Sequence, residues 1–286
     1  GNSLIGWDIL KDNPGLTQEE IDRINPFDWE KEFPEIFQRG GFSVLIGNPP
    51  YIRIQMMKEW APLEVEYYKQ KYVSASKGNY DIYVVFVEKG LSLLNGNGKL
   101  GFILPHKFFN ANYGEPLRAK LAEGKHLSEI VHFGDQQVFT GATTYTCLLF
   151  INKSETEAFD FSKVTDLQRW QSERNADHVS ILTAEIMGGS AWNFSAGKDA
   201  TLLEKLKQFP LNLGEIAHIF VGTQTSADDV FVLDKCRIEN GIAIGFSKSL
   251  NSEVKVEAAC TKPFLRGKQI RRYELPQADA LLICPY

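Results

Sequence analysis

The stretch Phe42-Ser43-Val44-Leu45-Ile46-Gly47-Asn48-Pro49-Pro50-Tyr51 constrains the fold more than any other part of the 286-residue chain. Its first five residues form a short apolar, partly β-branched run that reads as a buried parallel strand. Gly47 releases the backbone, and two consecutive prolines follow. Neither proline has an N–H to give a ladder, so the chain must leave the sheet at this point. The exit falls at the carboxyl end of a strand, where open α/β sheets bind their ligands. An amide, a stiff diproline and an aromatic ring are brought together at that edge.

These four residues have a definite chemistry. The prolines fix φ, so the Asn48 side chain and the Pro49 carbonyl keep a set relation to each other. Both offer acceptor oxygens, which match the two N–H donors of an exocyclic amine. Drawing on both protons takes the amine lone pair out of conjugation with its ring. Tyr51 offers a flat face on which a planar base stacks, a contact worth about 1–3 kcal/mol in nucleic-acid binders. The set suits methyl transfer to a planar amine, although an ordinary turn after a strand uses the same residue types. In its NPPY form it resembles the (D/N/S)PP(Y/F/W) motif of S-adenosylmethionine-dependent amino-methyltransferases.

Around the motif the chain reads as alternating strands and helices. Residues 11–40 form a polar insertion with one short helix, begun by Thr17 as cap and Glu20 closing a capping box. Met56–Tyr72 is helical in character. Asn79 is placed to cap a helix over Tyr80–Asn95, whose Tyr83, Val87, Leu91 and Leu94 recur at helical spacing as a buried stripe. Gly96-Asn97-Gly98 stops it. Lys99–Leu104 is a strand ended by Pro105, and Pro116 sits in the first turn of a helix that runs to Ala122. Leu127–Phe133 and Tyr145–Ile151 are two further strands. The order indicates an α/β sheet whose last connection has no helix.

That order resembles the methyltransferase fold, in which the final strand inserts antiparallel beside its neighbour. Asn79-Tyr80-Asp81-Ile82-Tyr83 with Phe86 resembles the helix after NPPY in the TaqI-like adenine methyltransferases. Gly98–Pro105 looks like the core strand that follows. Gln137-Val138-Phe139-Thr140-Gly141-Ala142-Thr143-Thr144 resembles the loop whose aromatic residue contacts the flipped target base. Gly1-Asn2-Ser3-Leu4-Ile5 is similar to the strand-end segment near the cofactor adenosine in type IIG restriction–modification enzymes. The resemblance implies a catalytic set of Asn48, Pro49, Pro50 and Tyr51, with Tyr51 and Phe139 stacking on the base. It also implies that Asn2, Asn48, Pro50 and Phe86 bind S-adenosyl-L-methionine.

The second half has a different texture. Residues 153–200 are polar, with Trp170 and Trp192 as isolated anchors and a loop at Gly188-Gly189-Ser190. Thr201–Gln208 reads as a short bridging helix. From Leu213 the pattern is β-rich: Ile216–Val221, Val230–Leu233, Arg237–Ile244 with an Asn240-Gly241 turn, Val254–Ala258 and Ala280–Cys284. This part resembles the target-recognition domain of the same enzymes at Gly214–Thr225, Lys262–Lys268 and Leu282–Tyr286. Lys262, Arg266, Lys268, Arg271 and Arg272 fall close together and read as phosphate-gripping, with a solvated charged edge as the alternative. Thr223, Gln224 and Thr225 would approach the groove. The expected organisation is the second half of a catalytic domain over 1–153, a linker with its helix over 154–212, and a partial recognition domain over 213–286. In fold class this is α/β: a partial Rossmann-like methyltransferase sheet followed by a smaller β-rich (α+β) recognition domain.

One departure from the family pattern matters. Its glycine-rich cofactor loop and its acidic ribose partner should precede the NPPY strand, and neither is present; Gly40-Gly41 abuts the strand directly. The resemblance therefore implies an internal fragment that binds S-adenosylmethionine weakly or not at all. Such a piece would self-associate through an exposed sheet edge. No PD…(D/E)xK nuclease signature stands out.

Composition narrows the remaining classes. A content of 43% hydrophobic and 23% charged residues suits a globular protein with a real core. The net charge of −5 confines any DNA surface to a local patch. Cys147, Cys236, Cys260 and Cys284 are scattered without a CxxC, which indicates neither a metal site nor a disulfide framework. A reduced, cytoplasmic setting follows, and no apolar run is long enough to span a membrane. The expected activity is site-specific N6-adenine methylation of double-stranded DNA within a restriction–modification system, on a base flipped out of the duplex. The alternatives are a non-catalytic DNA-recognition module and an amino-methyltransferase acting on RNA or on a protein glutamine.

Overall fold

Phe42–Gly47 forms strand β1, which pairs in parallel with β2 (Leu94–Pro105), Ile46 opposite Gly101 and Gly47 opposite Phe102. This computed structural model describes residues 1–139, 144–186, 188–196, 201–202, 205–206, 208–218, 220 and 225–284. The chain divides into two compact units, Gly1–Pro210 and Leu211–Tyr286.

The first unit is built on a six-stranded sheet. Its other strands are β3 (Leu127–His132), β4 (Thr146–Asn152), β5 (Ala158–Lys163) and β6 (Asp177–Leu182), in the order β1-β2-β4-β3-β5-β6. The last strand of the expected fold, β4, lies antiparallel between β2 and β3, as the methyltransferase resemblance implies. Because β4 runs against both neighbours, β1, β2 and β3 point the same way. Their carboxyl ends therefore share one edge with the start of β4. That edge gathers residues 48–51, 105–110, 133–139 and 144–145, and it is where the candidate site lies.

Several local readings hold in detail. Thr17 Oγ1 accepts from the Glu20 N–H at 3.3 Å while Glu20 accepts from the Thr17 N–H at 2.8 Å, closing the capping box. The stripe Tyr83, Val87, Leu91 and Leu94 is buried. Its helix is shorter than expected, Tyr83–Leu93. Tyr80 and Ile82 give their backbone groups to Ile54 and Ile52 instead, and Leu94 already belongs to β2.

Two expectations need correction. The strand after residue 41 is parallel but not buried, for β1 is an edge strand with Val44 58% and Ile46 85% exposed. An apolar run marks a strand without telling how many neighbours it has. Residues 154–212 are likewise not simply a linker, since β5 and β6 extend the sheet from β3. The polar character of that stretch is one side of these strands; the other side of β5 carries buried Phe159 and Phe161. Trp192 is an anchor in the same core, 5.8 Å from Phe108 and 5.6 Å from Phe109. The expected helix over Thr201–Gln208 lies partly outside the described residues.

The second unit is a five-stranded antiparallel sheet in the order β10-β11-β7-β8-β9. These strands are β7 (Val232–Glu239), β8 (Ile242–Ser247), β9 (Ser252–Glu257), β10 (Thr261–Phe264) and β11 (Ala280–Ile283). The β7–β8 hairpin turns at Asn240 and Gly241, with φ of 50° and 79°. Two left-handed central residues define the tight hairpin turn that an Asn-Gly pair favours. Two expected strands begin otherwise. Leu213–Ile216 and Asp228–Phe231 are helical turns, the first closed by a box between Asn212 and Glu215. Val221 lies outside the described residues.

Candidate active site

Past Gly47 the chain is held by a few specific contacts. A Cβ on Gly47 would lie 2.9 Å from the Phe102 ring, so only glycine lets that ring approach. Pro49 is buried, whereas Asn48 and Pro50 are exposed. The Tyr51 hydroxyl donates to the Ile103 carbonyl at 3.1 Å, and its ring meets Tyr83 edge-on at 6.4 Å. Burial, with the Cys147 thiol beside it, pushes the Tyr51 phenol up to about 12. The phenol is therefore a neutral anchor at ordinary pH.

The next residues zip to the segment that the resemblance had coupled to the motif. Arg53 and Asp81 form an antiparallel bridge, flanked by Ile54 N–H to Tyr80 O and Ile82 N–H to Ile52 O, each 2.9 Å. Beneath the bridge, Tyr113 donates to Asp81 at 3.1 Å and its oxygen lies 2.9 Å from the Tyr83 hydroxyl.

Consecutive motif residues line two different cavities. Asn48, Pro49 and Pro50 line one of about 260 Å³, together with Phe86, Phe102 and Trp29. Tyr51 lines the other, of about 390 Å³, with Arg53, Asp81, His106, Lys107 and Tyr145. The first has a largely apolar wall of aromatic faces and prolines, which fits the adenine ring and sulfonium end of S-adenosylmethionine. Among the described residues no carboxylate lines it to hold a ribose. A neighbouring cavity shares Trp29 and Lys89 with it and is lined by Asp8, Asp28 and Glu30.

The structure brings together Asn48, Pro49, Pro50 and Phe86, but not every expected residue. Asn2 lines neither cavity; it accepts the Leu4 N–H at 3.2 Å and bridges Pro26, while Ser3 lines the first. Phe139 is half-buried and lines neither. Residues 140–143 of its loop lie outside the described residues, and the loop returns at Thr144 and Tyr145 on the wall of the second cavity.

A histidine pair beside that cavity escaped the sequence reading. His106 follows β2 directly and His132 ends β3, and their rings lie 4.2 Å apart. Gly134 joins them, its N–H donating to His132 Nδ1 at 3.1 Å and its carbonyl 3.3 Å from His106 Nε2. Burial holds His106 below its usual range. Burial, then the neighbouring His106, then Lys163 lowers His132 to about 4. Nothing in the local sequence marks them, because they are 26 residues apart and meet only through the sheet.

In the second unit Lys262, Lys268, Arg271 and Arg272 are exposed. Arg272 lies over the Tyr273 ring at 4.8 Å. Arg266 is not free for phosphate: it is paired with Asp234, and with Asp279 at 3.3 Å. Clustered cations in a sequence do not show the acids that fold against them. Thr225 precedes a helical turn, accepting the Ala227 N–H at 3.2 Å and donating to Asp228. Thr223 and Gln224 lie outside the described residues. Among the described residues there is no cluster suited to a metal ion, and no helix is long and apolar enough to cross a membrane.

A family model described as Eco57I restriction-modification methylase matches residues 3–139. Over its whole length the chain is 31% identical to the type II restriction enzyme and methyltransferase RM.Eco57I of Escherichia coli, of which it spans 28%. It is 29% identical to the type II methyltransferase M.PaeR7I of Pseudomonas aeruginosa over 68% of this chain and 36% of that one. Among solved structures, the DrdV–DNA complex matches 77% of this chain and 24% of its own, with a TM-score of 0.42 and 16% identity. The type IIG restriction endonuclease BpuSI matches 66% and 26%, with a TM-score of 0.41 and 15% identity. The chain thus spans well under two thirds of the relatives it matches. Through residues 3–139, and with the alignment to RM.Eco57I running the full length of this chain, the chain is similar to the Eco57I restriction-modification methylases.

Proposed function

We propose that the protein carrying this chain methylates the N6 amine of a specific adenine in double-stranded DNA, as part of a cytoplasmic restriction–modification system. The observation that carries this reading is the division of one motif between two cavities: Asn48-Pro49-Pro50 on one, Tyr51 on the other. Group transfer requires donor and acceptor to be held close and oriented, and a short, stiff segment between two cavities does this.

S-adenosylmethionine, when bound, supplies an electrophilic methyl group. The residues of this chain do the rest. A target adenine lies too deep in a duplex for chemistry and must be flipped out. The Tyr51 ring gives it a stacking face. Asn48 Oδ1 and the Pro49 carbonyl accept the two amine N–H groups and turn the nitrogen lone pair toward the methyl. The amine becomes acidic as its bond to carbon forms, and its proton passes to water, so no strong base is required. In the second unit, Lys262, Lys268, Arg271 and Arg272 supply phosphate contacts, whereas Arg266 holds its loop in place.

The same acceptor pair serves an RNA amine or a protein glutamine. The additional β-rich unit with exposed cations favours DNA over both. Methyl transfer from labelled S-adenosylmethionine to DNA, RNA and peptide, with the full-length protein, tests the reading. DNA is expected to be labelled alone. The Asn48→Ala protein should lose about 10²–10³ in rate, the scale of removing one aimed polar group, with DNA affinity little changed. Near-normal turnover by that variant would remove Asn48 from the mechanism.

A further inference from the structure

We infer that Arg53 and Lys107 form a phosphate clamp at the mouth of the Tyr51 cavity and hold the backbone on either side of the nucleotide inside it. Both line the cavity, both are exposed, and neither has an ion-pair partner among the described residues. Asp81 lines the same cavity and is half-buried, with one carboxylate oxygen taken by Tyr113. Although Arg53 and Asp81 face each other in the backbone bridge, they form no ion pair. The cavity is therefore polarised, with two free cations exposed to solvent and an acid less exposed. A phosphate is drawn to the former and repelled by the latter, while a base edge carrying N–H donors is accepted. That is the charge pattern of a single nucleotide entering base first.

Both cations stand on hydrogen-bonded backbone. Arg53 sits between the 2.9 Å hydrogen bonds that join residues 52–54 to residues 80–82. Lys107 lies in a short helical turn, His106–Phe109, which is fixed from below by the buried guanidinium of Arg118. That group donates to the carbonyls of Phe108 at 2.6 Å and Ala111 at 2.8 Å, and reaches Gly189 and Ser190 as well. Mounting of this kind positions a charge, where a loose surface lysine only raises the local potential.

The inference rests on the methyl-transfer reading, and the experiment separates the two. The full-length protein is bound to a short duplex carrying the site at which wild type methylates genomic DNA, over a series of salt concentrations. The Arg53→Gln/Lys107→Gln double variant should show a salt slope shallower by about 1.8, roughly 0.9 for each phosphate no longer neutralised. Arg53→Lys/Lys107→Arg, which keeps both charges, should retain the wild-type slope and guards against misfolding. Neutral methylphosphonate links on either side of the target should weaken wild type and leave the Gln variant unaffected. An unchanged slope, or an equal methylphosphonate penalty in both proteins, overturns the clamp. If wild type methylates no DNA, the methyl-transfer reading falls by itself. The clamp is then tested on a short single strand, where the expected decrease in slope is about 0.7 per phosphate.

Discussion

The hydroxyl of Tyr51 and the carbonyl of Ile103 lie 3.1 Å apart, joining the segment after β1 to β2 near its carboxyl end. The polar atom of Tyr51 is thus used inside the fold, and what remains for a ligand is its ring. Tyr51→Phe should cost about 1 kcal/mol of stability through the missing hydrogen bond and leave methylation within a few-fold of wild type. Tyr51→Ala removes the stacking face, worth about 1–3 kcal/mol, and should lower kcat/KM by roughly 5- to 150-fold. Steady-state kinetics on the mapped DNA site would distinguish them. A Phe variant as damaged as the Ala variant would place the hydroxyl in the chemistry.

His132 gives the fold a signature in mild acid. In the unfolded chain its imidazole takes up a proton near the ordinary value of 6.5, but in the fold only near 4. Between those values the unfolded state binds more protons, so stability falls as pH falls through that window. Above it the group is neutral in both states and contributes no pH dependence. Denaturant titrations at about pH 7.5 and about pH 5 should show wild type losing more stability than His132→Asn. Equal losses would mean that the carboxylates alone account for the acid response.

Arg118 is a further test, since it is a cation used as a structural pin. It is 3% exposed and donates to the carbonyls of Phe108, Ala111, Gly189 and Ser190. Arg118→Met should destabilise the first unit by about 3 kcal/mol or more, because those buried acceptors lose their donor. Arg118→Lys should rescue little, since a point charge cannot reach several carbonyls at once as a planar fork does. Thermal unfolding of the three proteins decides the matter; full rescue by lysine would show that charge, not geometry, is what this position requires.

What was legible in the sequence was local or motif-borne. The Thr17–Glu20 box, the Asn240-Gly241 turn and the exit of the chain at Pro49-Pro50 each follow from the chemistry of a few neighbouring residues. The placement of Phe86 beside the motif came through family resemblance, and both line one cavity. What stayed hidden depends on distant partners. Asp234 stands 32 residues before Arg266 and takes it out of the cationic patch. His106 and His132 face each other across β4, and the strands β5 and β6 show their apolar side only once the sheet exists. A sequence gives side chains in order without saying which of them neutralise each other.

The edge of the first sheet leads to the last prediction. Among the described residues β1 pairs with β2 on one side only, so its other side presents a row of unpaired backbone donors and acceptors. The edge is also apolar, with Val44 and Ile46 exposed, and β1 itself carries no charge to discourage a partner. Natural edge strands usually bear a charge, a proline or a bulge for that purpose, and the one register irregularity of β1 falls at its start, between Phe42 and Val44, leaving Val44–Gly47 regular. We therefore expect the 286-residue polypeptide, expressed by itself, to form dimers or larger species through β1. Ile46→Lys should return it to a monomer, because the charge would have to be desolvated in any strand-to-strand contact. The same sample should bind S-adenosylmethionine weakly, since the cavity beside Asn48 offers aromatic faces but, among the described residues, no carboxylate for the ribose. Light scattering on both proteins, with calorimetry of cofactor binding, tests the two halves separately. A monomeric wild-type polypeptide would show that the β1 edge is not adhesive, and micromolar cofactor binding would show that the cavity needs no acid to hold the ribose.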